Sequence, residues 1–315
     1  MTIKHQKVTN ADMPRAVDIL LFEQLNLLDV AGPVQAFEAA NDNCETAYAL
    51  RFVSAEGKPV RASCGLQLSP SARFSARGVG NDLLIPGGTG VDAQIKNEDT
   101  LEVIQRYNAG SGRVISVCSG AMLLAAAGVL DGLVATTHWT RLDQTRDYPE
   151  VAWDLDRISA SQGKVYTSAG VTTGIDLALA IIQADCGPSV ALAVARELVV
   201  QLRRTGGQSQ YAFYLAGQFS GDDTLAKLIE RVVANPHLDW SLEAMADISG
   251  MHPRTLTRRF KRDVDETPAH FVEKIRIDHA RNLLQDNKPL KRVAVESGFG
   301  DIQRMRRAFQ RRFGV

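Results

Sequence analysis

Four cysteines in 315 residues, Cys44, Cys64, Cys118 and Cys186, are too few for a disulfide scaffold, and their spacing matches no zinc-ligand pattern. Neither a metal site nor a cofactor is expected. No apolar run approaches the ~18 residues of a membrane span, the nearest being Ala121 to Leu130. The polar N-terminus also lacks the apolar core of a signal peptide, so no membrane association and a cytoplasmic location are expected. Net charge is missing too, because 36 Lys+Arg balance 36 Asp+Glu. That balance hides an asymmetry: 18 Lys+Arg stand against 13 Asp+Glu from residue 223 onward, and 18 against 23 before it. The basic end is the candidate binder of a polyanion.

What is present is an ordinary globular composition, 45% hydrophobic and 23% charged, at a length that suits two domains. Apolar β-prone runs at Ala16–Phe22, Leu50–Ser54, Asp82–Ile85, Arg113–Val117 and Lys164–Thr167 alternate with helical patterns at Pro33–Ala40, Asp99–Ala109, Ala121–Gly128 and Thr173–Gln183. This alternation predicts an α/β domain over residues 14–204, a parallel sheet with helices on both faces. An apolar helix, Val190 to Leu202, is expected to close it against the sheet or a partner subunit. The glycines and polar residues after Arg204 mark a linker over 205–221, docked through Tyr211, Phe213, Tyr214 and Phe219. Residues 222–315 read as helical throughout.

Within that helical stretch one pattern is written twice. Leu242, Met245, Ala246, Ser249 and Gly250 recur at identical spacing as Leu290, Val293, Ala294, Ser297 and Gly298, and each set opens onto an arginine-rich amphipathic segment. This is helix, glycine turn and second helix, made twice. In the first unit Leu256 and Phe260 face inward, leaving Arg254, Thr257 and Arg258 outward near the helix start, where base edges are met. In the second, Ile302, Met305, Phe309 and Phe313 form the inward stripe and leave Gln303, Arg304 and Arg307 outward. Arginine pairs with guanine and glutamine with adenine through two hydrogen bonds each, so these residue types suit direct readout of double-stranded DNA. A helix from Pro268 to Gln285 joins the units and spans on the order of 25 Å.

The runs Leu242-Glu-Ala-Met-Ala246, Arg254-Thr-Leu-Thr-Arg-Arg-Phe260-Lys261, Thr267-Pro268, Val293-Ala294, Ser297-Gly-Phe-Gly-Asp301 and Phe313-Gly314 resemble the AraC/XylS transcription-regulator domain over about 90 residues. Met305 departs from it, standing where the family has an aromatic residue. The sequence also ends at Val315, short of the family's Ser-Pro and tyrosine-arginine tail. The resemblance implies promoter or operator DNA and RNA polymerase as partners, with activation the expected sign.

In the first domain, Val114-Ile-Ser-Val117 leads straight into Cys118-Ser119-Gly120 and a helix, the strand–nucleophile–helix arrangement of a nucleophile elbow. A cysteine at a helix start has its thiolate favoured by oriented N–H groups, so a lowered pKa is expected for Cys118. The loop Pro86-Gly87-Gly88-Thr89-Gly90 ends another strand, and its bare amides are positioned to hold an oxyanion or a ligand carboxylate. His138 reads as a hydrogen-bonded structural histidine before a general base. Trp139 reads as a core residue before a cation platform. Asp176 reads as support for a helix N-terminus.

Together with Leu28-Asp29-Val-Ala-Gly-Pro33, Ala135-Thr-Thr-His138-Trp139 and Ser168-Ala-Gly-Val-Thr-Thr-Gly-Ile-Asp176, these residues resemble the PfpI-like branch of the class I glutamine-amidotransferase-like superfamily. The pairing with the basic repeat is similar to GlxA-like regulators. The resemblance implies a dimeric flavodoxin-like domain with a ligand site at Asp29, Gly87, Gly88, Cys118, Ser119 and His138, and amino-acid-like or quaternary-amine effectors. The protease-like members' histidine after the cysteine is replaced here by Ser119. The expectation is therefore a metabolite-responsive regulator without enzymatic activity. Its rival is a cysteine-dependent hydrolase or hydratase with Cys118, Asp29 and His138 as the catalytic candidates.

Overall fold

The structure, a computed structural model, describes residues 14–44, 48–200, 223–264, 266–285 and 288–313. The linker expected over 205–221 lies outside them. The chain divides into two compact units at Arg204–Thr205.

In the first unit seven strands make one sheet: β1 (Arg15–Leu21), β2 (Tyr48–Ser54), β3 (Ala72–Arg73), β4 (Asp82–Ile85), β5 (Val114–Val117), β6 (Ser159–Gln162) and β7 (Val165–Ser168), in the order β6-β7-β5-β4-β1-β2-β3. All neighbours run parallel except β6 with β7. The central strands are buried along their length, β4 and β5 completely, as apolar runs covered on both faces must be. Helices α1 (Leu27–Asn43), α4 (Thr173–Cys186) and α5 (Pro188–Glu197) pack on one another, and α2 (Glu98–Ala109) packs on α3 (Gly120–Ala126). The flavodoxin-like sheet flanked by helices is therefore present. The antiparallel edge strand β6 was not expected. Its polar residues show no long apolar run, and it is held as half of a hairpin turning at Gly163, φ +59°.

Two expected helices shift. The first does not begin at Pro33 but six residues earlier, because the Asn26 side chain accepts from Leu28 N–H at 3.1 Å and caps the helix there. Proline is favoured in a first turn, yet here it stands inside the helix, its ring against Gly174, where a Cβ would lie 3.1 Å away. The shift places Asp29 in the first turn of α1. The helix expected from Val190 runs Pro188–Glu197 and buries only Ala191, Val194 and Ala195, while its expected end at Leu202 lies outside the described residues. Leu192 on the same helix is exposed, so it is one-sided rather than apolar all round.

Charged clusters pin the sheet around the start of its strands. Arg51 holds the buried Asp18 through two bonds of 2.5 and 2.6 Å, and Arg113 bridges Asp82 and Asp185. Buried carboxylates are tolerated because each is paired.

The second unit is helical: α6 (Asp223–Ala234), α7 (Leu242–Ser249), α8 (Pro253–Asp263), α9 (Pro268–Gln285), α10 (Leu290–Glu296) and α11 (Ile302–Phe313). It has two cores. Leu228, Met245, Leu256 and Phe260 meet Phe271 and Ile275 in one, and Val293, Ala294, Met305 and Ala308 meet Ile277, Ala280 and Leu283 in the other. Helix α9 thus gives its first half to one core and its second half to the other.

Candidate functional site

The chain order β1, β2, then back across to β4 and β5 makes the sheet's topology reverse beside β1, and in such sheets ligands bind at the strands' C-terminal ends near that reversal. Four loops converge there. Asp29 follows β1, Gly87 and Gly88 follow β4, Cys118 and Ser119 follow β5, and Gly170 and Val171 follow β7.

Cys118 occupies the elbow in a left-handed conformation, φ +59°, which is strained for a side chain with a Cβ. Its N–H donates to Ser168 O at 2.9 Å, and the Thr137 hydroxyl donates to its carbonyl at 3.0 Å. The small neighbours have a reason: a Cβ on Gly120 would lie 2.4 Å from Ile85 O, and one on Gly170 would lie 2.7 Å from the Cys118 sulfur. The elbow is closely walled.

The carboxylate of Asp29 accepts from Gly87 N–H at 2.9 Å, from Val171 N–H at 3.1 Å and from the Cys118 thiol. Burial nevertheless raises its pKa to about 6, the three hydrogen bonds offsetting only part of that penalty. The Cys118 thiol is pushed up to about 12, first by burial and then by the negative charge of Asp29. This corrects the expectation of a favoured thiolate. Hydrogen bonds from Ser119 do act in that direction, but they are outweighed.

The glycine loop departs from expectation as well. Gly87 N–H is taken by Asp29, and Gly88 N–H donates to Ser119 Oγ at 3.0 Å, so neither amide stands bare. Their role is to bind the loop to the elbow. His138 sits at the edge of the group with Thr140 Oγ1 at 2.8 Å from Nδ1, and burial followed by the Arg141 charge lowers its pKa. No acid orients it among the described residues. Trp139 is 66% exposed, which overturns the core reading; its ring lies beside the His138 ring, centroids 5.5 Å apart. Asp176 lies in the first turn of α4.

Val171 and Thr137 belong to the site although neither was among its expected residues. Val171 carries a positive φ of +50° that no sequence pattern announces, although Gly170 directly before it marks an unusual turn.

In the second unit the glycine turns are as the repeat implied. Gly250 caps α7 in the left-handed conformation, φ +64°, and Gly298 follows α10 with φ +84°. Leu256 and Phe260 are fully buried, while Arg254 and Arg258 are exposed and Thr257 is half-buried, its hydroxyl donating to Pro253 O at 3.0 Å. On α11, Met305 and Ala308 are buried, Phe309 and Ile302 half-buried, and Gln303, Arg304 and Arg307 exposed. The Phe313 side chain lies outside the described residues. Arg254 and Arg258 carry no ion pair among the described residues, whereas Arg304 leans on Asp301 at 3.4 Å.

Comparison with known proteins follows this division. Residues 15–184 match the DJ-1/PfpI family, and residues 245–315 match a helix-turn-helix domain. Over 305 residues the chain is 25% identical to the HTH-type transcriptional regulator GbdR of Pseudomonas aeruginosa, covering 96% of this chain and 83% of that protein. Over 186 residues it is 34% identical to an isonitrile hydratase of Pseudomonas putida, covering 59% of this chain and 78% of the hydratase. The fold is shared with a THiJ/PfpI family protein from Pseudomonas syringae, at a TM-score of 0.55 and 21% identity, over 76% of this chain and 91% of that one.

Proposed function

The chain belongs to the DJ-1/PfpI family and carries a helix-turn-helix domain beyond it, and on that footing we propose a DNA-binding transcriptional regulator whose first domain binds a small effector. One observation carries the reading. Two separate cores, joined by α9, each present an exposed basic helix, with Arg254 and Arg258 on α8 and Gln303, Arg304 and Arg307 on α11. Basic helices pinned on one side and polar on the other suit two major-groove contacts. Thr257 joins the first set.

The effector site is the group at Asp29, Gly87, Gly88, Cys118, Ser119 and His138. Above pH 6 the Asp29 charge lies in a desolvated setting, where it attracts a cation more strongly than in water. An amino-acid-like or quaternary-amine metabolite fits that field. The effector acts by binding the DNA-competent arrangement better than the alternative. The protein works in the cytoplasm as a homodimer through its first domain and activates transcription through RNA polymerase.

A hydratase reading is favoured by the likeness to the isonitrile hydratase and by the Asp29–Cys118 contact. The protonated, buried thiol speaks against it, because a nucleophilic cysteine needs its thiolate. The test is a thermal-shift screen of nitrogenous metabolites followed by promoter footprinting with each hit. A hit raises the melting temperature and changes the footprint. Turnover of a hit, lost in Cys118→Ala, moves the assignment to the enzyme; a full screen without a hit removes the effector.

A further inference from the structure

Away from the elbow, two further cysteines lie together. Cys44 stands one residue past the end of α1 in an extended conformation, φ −146° and ψ 131°, and Cys186 is the last residue of α4, before Gly187 with φ +87°. The two helices pack on one another, and the two thiols at their ends are neighbours that feel each other electrostatically, both half-buried. The surrounding bonds hold the two helix ends in register. Asn41 of α1 clasps the Tyr48 backbone at 2.8 and 2.9 Å, and the Tyr48 hydroxyl donates to Asp185 Oδ2 at 2.9 Å. Asp185 is in turn fixed by Arg113.

We propose that Cys44 and Cys186 are a redox site that closes to an intramolecular disulfide under a hydroperoxide and reopens with a dithiol. Two neighbouring thiols, at the ends of two helices that Asn41, Tyr48 and Asp185 hold together, are placed to close to the ~2.05 Å of an S–S bond. The sequence of events balances. Hydrogen peroxide oxidises the Cys44 thiol to a sulfenic acid, releasing one water. The Cys186 sulfur then attacks the Cys44 sulfur, the S–O bond breaks, and the hydroxide leaves with the Cys186 proton as a second water. The roles of the two cysteines can be exchanged without changing the balance or the product. Cys64 has no such partner, and Cys118 is closed in its elbow.

The position gives the bond a consequence. Helix α1 carries Asp29 at its other end, and α4 begins just after Gly170 and Val171, which wall Cys118 and Asp29. A disulfide would tie the far ends of the two helices that frame the effector site, across 142 residues of chain. Opening of the elbow would then be restrained.

The experiment uses the full chain treated with a small excess of hydrogen peroxide, alkylated, digested and mapped by mass spectrometry. Two of the four thiols should disappear, a Cys44–Cys186 linked peptide should form, and dithiothreitol should reverse both. The product should be absent from Cys44→Ser and Cys186→Ser and unchanged in Cys64→Ser, and the wild-type result stands whether or not these variants fold. In oxidised protein the alkylation of Cys118 by iodoacetamide should slow several-fold. A link through Cys64, a link between molecules, or sulfinic acid at Cys44 or Cys186 without the linked peptide overturns the site. An unchanged Cys118 rate in cross-linked protein overturns its coupling to the elbow.

Discussion

The Cys118 thiol donates its hydrogen bond to the Asp29 carboxylate, and both side chains are buried. Each group therefore sets the other's protonation. The thiol's hydrogen bond favours the carboxylate's charge against burial, and that charge keeps the thiol protonated well above neutral pH.

Alkylation of Cys118 should be slow at pH 7.5, far slower than that of the exposed Cys64. Asp29→Asn removes the charge but not the burial, so the rate should rise by about tenfold, the effect of a one-unit fall in thiol pKa. Peptide-resolved alkylation kinetics measure it. Equal rates at Cys118 and Cys64 in the wild type would contradict the buried pair.

The raised Asp29 pKa has a stability signature. In the window from 3.8 to about 6 the native state holds this proton and the unfolded state has lost it, so stability falls as pH rises through that window. The difference between native and unfolded values amounts to on the order of 3 kcal/mol. Melting curves of wild type and Asp29→Asn from pH 4.5 to 7.5 should show this component only in the wild type. Parallel curves would remove it.

Gly170→Ala should be severe. A Cβ there would sit 2.4 Å from the Cys118 Cβ at a φ of +111°, combining a clash with a conformation that side chains avoid. A loss of about 2–4 kcal/mol is expected. Denaturant unfolding of the full chain gives the number, and a loss near zero would mean the loop relaxes away from the elbow.

The two glycine turns of the second unit are equal in the repeat and unequal in space. A Cβ on Gly250 meets nothing within 4 Å, whereas one on Gly298 would lie 2.2 Å from Pro236 O. Gly250→Ala should therefore cost about 1 kcal/mol for the left-handed backbone alone. Gly298→Ala should exceed it by at least as much again. Similar melting shifts for the two would show the second turn to be free to move.

On the DNA side, Arg258→Ala and Arg304→Ala should each relax preference at single base pairs by about 1–3 kcal/mol. Binding titrations against a set of single-substituted promoter fragments read this out. A uniform loss across all fragments would assign the arginine to phosphate instead.

Periodicity and glycine placement reported most of the fold. The doubled helix–turn–helix was legible because its inward residues, Leu256, Phe260 and Met305, repeat at helical spacing beside a glycine. The central strands were legible because a doubly covered strand is an unbroken apolar run. Strand β6 was not, since four polar-leaning residues on an edge carry no such run. The site was half legible. Local sequence placed Cys118 on its elbow, but its protonation depends on Asp29 arriving from 89 residues away and on burial, and neither is written next to the cysteine. Trp139 misled because tryptophan is usually buried, and nothing local says that the short turn at Trp139–Arg141 faces outward.

Helix α9 belongs to both cores of the second unit, with Phe271 and Ile275 seated in one and Ile277, Ala280 and Leu283 in the other. Such a helix acts as a ruler fixed at both ends. It sets a phase between α8 and α11 as well as a distance, so half a helical turn of duplex inserted between their contacts places the second contact on the wrong side. A whole turn would return it to the same side but ~34 Å farther along, out of reach of a helix fixed at both ends, so one promoter spacing should be read and its whole-turn multiples should not.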